Sequence, residues 1–184
     1  MDGAADRHRR FAGAMTHRIE GVTDWSVPTP VSDWTAVDVV DHLITWSGAF
    51  LAAGGVDLAA GPPVADEPLA AWSHHVGQVQ ELLDAPDADR VFVHPYAGEH
   101  PLATAIDRFY TADVFMHTWD LARATGQDDS LDADFCADLL AGLRPIDDVL
   151  RTSGQYGPAV PVPADATVQE QLLGFIGRDP AWQP

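Results

Sequence analysis

Thiols are nearly missing from this chain: Cys136 is its single cysteine, which excludes an intrachain disulfide and any zinc cluster built on cysteines. Its expected role is that of a small buried hydrophobe on a helix. Basic residues are also scarce, 10 Lys and Arg against 28 Asp and Glu, for a formal net charge of −18. A field of that sign repels phosphate backbones and anionic lipid, so neither nucleic acid nor a membrane surface is expected as a partner. No apolar run approaches the ~20 residues that span a bilayer. The N-terminal MDGAADRHRRF lacks the apolar stretch of a secretory signal. No internal repeat and no Gly-rich phosphate loop interrupts the chain. The expectation is a soluble, cytoplasmic protein. What is present is ordinary: 184 residues, 46% hydrophobic and 21% charged, enough for one domain over residues 1–184 with its own core.

Apolar residues recur at helical spacing in several stretches. Phe11, Met15, Ile19 and Val22 give a helix over about Ala4 to Val22, on which His8 and His17 are expected to be solvated. A connection with Pro28 and Pro30 follows, and Asp33 is the expected N-cap of a second helix over about Thr35 to Ala53. A Gly- and Pro-rich loop or lid leads to a third helix, Glu67 to Leu83, with Leu69, Trp72, Val76, Val79 and Leu83 inward and His74 and His75 solvated. Val91 to Val93 reads as a short strand or an extended packing segment, and His94, ahead of Pro95, has no assigned place. After the fourth helix, Asp132 is an N-cap for a fifth, about Ala133 to Thr152, which Pro145 should kink or divide. A Pro-rich extended segment and a short helix, Thr167 to Ile176, close the chain. The economical architecture is all-α: a four-helix bundle with a short C-terminal helix and an extended C-terminal segment.

The fourth helix, Ala105 to Gly126, carries the chemistry. Ile106, Tyr110, Asp113, His117, Leu121 and Ala124 fall on one stripe, and Asp113 and His117 stand one turn apart within it. A buried carboxylate beside a buried imidazole is costly unless something pairs with them. Two readings stand: an internal Asp–His hydrogen bond, or a divalent ion shared by both. His42, on the apolar face of the second helix, would complete a three-ligand set with coordination left open, the pattern of catalytic metal sites. Asp120 could hold the second nitrogen of a ligand imidazole. Arg123 and Arg108 could bind a substrate carboxylate, against a plainer role in surface ion pairs.

Three stretches, WTAVDVVDHL, ADVFMHTWDLARATG and YGPAVPVPADATVQEQLLGFIGRDP, together resemble the actinobacterial metal-binding proteins grouped with mycothiol-dependent maleylpyruvate isomerase, within the DinB-like superfamily. The resemblance covers nearly the whole chain. It implies a DinB-like four-helix bundle with a divalent metal, usually zinc, with nickel or iron as further candidates. The residues it matches to the metal ligands are His42, Asp113 and His117, with Asp113 where the isomerase has a longer Glu. It also implies dimerisation.

A metal deprotonates a bound thiol, and the protein itself supplies no cysteine ligand, so an open position could accept a small-molecule thiol such as mycothiol. The expected function is therefore a metal-dependent, thiol-cofactor transferase or isomerase acting on a small molecule, with Arg123 as a cofactor- or substrate-binding candidate. Two rivals remain: a hydrolase using metal-bound water, and a non-enzymatic metal- or ligand-binding protein.

Overall fold

The computed structural model describes residues 3–154 and 156–184. The chain is predominantly helical, with one small two-stranded sheet. Helix α1 (Ala4–Glu20) packs against α3 (Pro68–Asp84), and α2 (Ala36–Ala53) lies against α3 and α5 (Ala112–Ala124). Strands β1 (Val91–His94) and β2 (Gly98–Pro101) form an antiparallel hairpin in which Val91 faces Pro101 and His94 faces Gly98. The sequence left Val91 to Val93 between strand and packing segment; it is a strand.

Helix α2 does not start from Asp33, as the sequence suggested. Asp33 has a left-handed backbone, φ 64°, in the turn before Thr35, and Thr35 is the N-cap. The Thr35 backbone N–H and hydroxyl both donate to Asp38 Oδ2, at 2.7 and 2.5 Å. Asp38→Ala should therefore cost about 1 kcal/mol, by analogy with lost N-terminal caps, read as a lower urea midpoint. Among the described residues α2 is also the one helix long and apolar enough to cross a bilayer by length and composition. Here its apolar residues Val39, Val40, Leu43 and Leu51 are buried in the core, and Asp38, Asp41 and His42 interrupt it.

The fourth predicted helix is one continuous run with a local fault. It begins as α4 (Leu102–Ala105), widens into a π-helical segment (Ile106–Thr111), where the Ala112 N–H reaches back five residues to Asp107 O, and continues as α5. Such segments often mark functional sites. The expected single stripe is too narrow a description, because α5 is enclosed on nearly every side from Ala112 to Ala122. One side joins the main core of α1, α2, α3 and the hairpin. The other, through Phe115, Met116 and Trp119, joins a second core with Cys136, Leu140, Leu172 and Ile176.

Pro145 divides the fifth predicted helix: α6 (Ala133–Leu143) passes through a 3₁₀ turn at Arg144–Ile146 into α7 (Asp147–Ser153). Asp132 caps α6 as expected, accepting from Phe135 N at 2.8 Å. Helix α8 (Val168–Phe175) packs on α6 and opens with a Thr167/Glu170 capping box.

Two histidine expectations are overturned. His8 and His75 are 1% and 4% exposed, not solvated. Burial is affordable because each finds a polar neighbour: His8 Nδ1 lies 2.8 Å from Gln80 Oε1, and His75 Nε2 lies 2.8 Å from Ser47 Oγ. On α3 this turns the buried face to Ala71, Trp72, His75, Val79 and Leu83, leaving Leu69 exposed. His17 and His74 are exposed as expected. The Gly/Pro-rich loop before α3 is pinned to that helix, since Ala59 exchanges hydrogen bonds with the Gln78 side chain.

Candidate metal centre

His42, Asp113 and His117 meet as the sequence predicted, and one ligand atom from each lies within 4.8 Å of the others. His42 projects from the second turn of α2, and the other two stand one turn apart on α5. Asp113 is the hinge of the group. Its Oδ2 lies 3.3 Å from His42 Nε2 and accepts from Trp46 Nε1 at 2.8 Å, while its Oδ1 lies 3.6 Å from His117 Nε2. Trp34 lies against both imidazoles, 4.7 Å from the His42 ring and stacked at 5.6 Å on that of His117. The His117 side chain is 7% exposed, Asp113 19% and His42 30%, so the group opens to solvent on the His42 side.

Behind His117 runs a chain of charged contacts. His117 Nδ1 is 2.8 Å from Asp120 Oδ2, and Arg178 clamps both Asp120 oxygens from Nε and Nη2, at 2.9 and 3.0 Å. The expected role of Asp120 beside a ligand imidazole therefore has its geometry. An imidazole that donates a hydrogen bond from Nδ1–H to a carboxylate turns an Nε2 lone pair outward, the arrangement found behind metal-bound histidines. In that tautomer the Nε2 lone pair of His117 would face Asp113 Oδ1, itself an acceptor, 3.6 Å away. Two acceptors face to face need a cation between them, either a proton on His117 or a metal ion. The donor set fits a divalent ion: two imidazoles and a carboxylate, with a carboxylate behind one ring.

The electrostatics follow the same geometry. Burial works to raise the Asp113 pKa, but His117 and the hydrogen bonds from His42 and Trp46 hold it below the ordinary carboxylate value. Burial works to lower that of His117, yet Asp113 and Asp120 hold it above the usual imidazole value. Asp120 is likewise held low against burial by His117 and Arg178. Burial, then Asp113, push the Tyr156 phenol up to about 12. It is a protonated hydroxyl within the field of this group.

Arg123 is not brought to the ligands. Six residues past His117, it is ~9 Å further along the axis and on another face. Its guanidinium pairs with Asp129 at 2.8 Å, donates to Pro180 O at 3.0 Å and lies over the Trp119 ring. Arg108 is exposed beside Phe109. The cation that does reach the site is Arg178, which the spacing of residues around the ligands could not reveal. Its one sequence signal is its place in the closing GRDP of the stretch that carries the family resemblance. Cavities beside Phe11 and Leu131, about 180 Å³, and beside Arg123 and Gln183, about 390 Å³, share no residue with the His/Asp group.

Two proteins of Mycobacterium tuberculosis, uncharacterized protein Rv0738 and uncharacterized protein MT0763, are each 31% identical to this chain over 155 residues, an alignment covering 82% of the chain and 83% of theirs. The chain belongs to their family. No family model matches the chain, and no solved structure does. The names of these relatives assign no activity.

Proposed function

We propose that this protein is a divalent-metal protein on the DinB-like four-helix plan, with His42, Asp113 and His117 as ligands. Its activity is the transfer or isomerisation of a small substrate through a low-molecular-weight thiol such as mycothiol. The observation that carries the reading is the convergence of His117 Nε2 and Asp113 Oδ1 at 3.6 Å, with His42 Nε2 beside Asp113 and Asp120 against Nδ1 of the His117 ring.

A divalent cation held there would lower the pKa of a coordinated thiol and present it as thiolate at neutral pH. The chain's own residues favour an external thiol over an internal one. Cys136 is fully buried in the second core, and burial followed by Asp132 pushes its thiol up to about 11. The fixed charges point the same way. Asp113, Asp120 and Arg178 sum to a single negative charge, so a dication with neutral imidazoles leaves a single positive charge for an anionic ligand to balance. Trp34 and Trp46 wall the group with aromatic surface, and the half-open His42 side is where a ligand can approach.

The test is cobalt-loaded protein titrated with mycothiol. A near-ultraviolet sulfur-to-cobalt charge-transfer band saturating at about one thiol per ion is expected, unchanged in Cys136→Ser and absent in His117→Ala. Bound cobalt with no such band would sink the thiol chemistry while leaving the metal site standing.

A further inference from the structure

Arg178 lies 58 residues from Asp120 in sequence, yet it makes a two-pronged contact behind the metal-ligand group. Asp120 is fully buried. Its Oδ1 accepts from Arg178 Nε, and its Oδ2 is shared between Arg178 Nη2 and His117 Nδ1. A two-pronged guanidinium–carboxylate pair fixes orientation as well as charge.

The backbone that delivers Arg178 is equally constrained. Gly177 follows α8 with φ 87°, and a Cβ there would lie 3.1 Å from the Gly157 backbone and from Pro158 O. Val160 N donates to Gly174 O at 2.8 Å, Arg178 N donates to Leu173 O at 2.8 Å, and Arg151 binds the carbonyls of Gly157 and Phe175. The extended segment from Tyr156, α8 and Arg178 thus form one docked unit. Among the described residues that unit meets the candidate metal centre through the Arg178–Asp120 ion pair, and Tyr156 lies within the electrostatic reach of Asp113.

We infer that Arg178 is a positioning residue for the candidate metal centre, through which ion capture and docking of the C-terminal segment become one linked equilibrium. The inference rests on the metal reading above. Arg178 holds the Asp120 carboxylate against His117 Nδ1. Without it, the carboxylate has one ring N–H as its partner in a buried place and turns away, and the Nε2 lone pair loses its fixed direction. Linkage makes the effect mutual: an ion that fixes His117 also fixes Asp120, and with it Arg178 and the segment behind it.

The experiment compares wild type with Arg178→Gln, Arg178→Lys and Gly177→Ala, the last straining the turn without touching Asp120. Zinc affinity is read by competition with a chromophoric chelator, and amide exchange over residues 156–178 with and without zinc. Arg178→Gln should weaken zinc by about 10- to 100-fold, with Arg178→Lys in between and Gly177→Ala also weakened. Zinc should slow exchange over 156–178 in the wild type and not in Arg178→Gln. If Arg178→Gln does not fold, the other two variants carry the comparison. Wild-type zinc affinity in the folded variants, or exchange over 156–178 indifferent to zinc, would overturn the inference while leaving the metal site intact. A wild type that binds no zinc would overturn both.

Discussion

His117→Ala is expected to take the untagged protein from about one divalent ion per chain to none detectable by elemental analysis. His117 is the best-held ligand of the three: buried, one turn above Asp113, and oriented from behind by Asp120 and Arg178. Its removal leaves one imidazole and one carboxylate, too few for tight capture. The stabilisation that added zinc gives the wild type, a mass-action effect growing with zinc concentration, should vanish with it. His17→Ala, an exposed imidazole on α1, should change neither result. A wild type free of metal even after incubation with zinc or nickel would leave Asp113 and a protonated His117 as a plain ion pair, 3.6 Å apart. The functional reading would then have no foundation.

Acid should destabilise the fold by about 3 kcal/mol through His75 alone. Burial, followed by the nearby His8 and His74, pushes the His75 pKa down to about 4 from an ordinary 6.5, and burial likewise lowers that of His8. A group that stays neutral in the fold and charges on unfolding gives the unfolded chain the greater proton uptake. Stability is therefore full above pH 6.5 and is lost as the pH falls from 6.5 towards 4. Urea midpoints measured across that window should drop steeply for the wild type and less for His75→Gln, which cannot charge and can still reach Ser47. Equal losses in both proteins would show that His75 is not held neutral inside the fold. The 28 acidic residues contribute to both curves alike, so the difference between the two isolates His75.

Asp113 and His117 were legible because helical periodicity is local: four residues on one helix place two side chains one turn apart whatever the rest of the chain does. The same holds for α6, where Asp132 caps the start and Pro145 breaks the continuation. Thr35 shows the limit of local reading. Asp33 has the better residue type for an N-cap, but the Pro28–Thr35 bridge and the left-handed turn at Asp33 move the cap two residues on. Arg123 shows it at the site. It lies on the ligand-bearing helix, but on a different face, where Asp129 and Pro180 engage it.

By itself, the sequence determined the helical composition, most helix bounds, and the His42, Asp113 and His117 set. The helices and the Asp113/His117 pair follow from residue type and from spacings within single helices; His42 joined the pair as an inward imidazole of a second helix and through the family resemblance. Packing between distant segments is what encloses α5 on nearly every side, buries His8 and His75, and sets Arg178 behind His117. Each of those depends on which distant segment comes to lie against a given face. A buried imidazole or carboxylate is tolerated only where such a segment brings its partner, Gln80 to His8, Ser47 to His75 and Arg178 to Asp120, and spacing along the chain carries no record of that meeting.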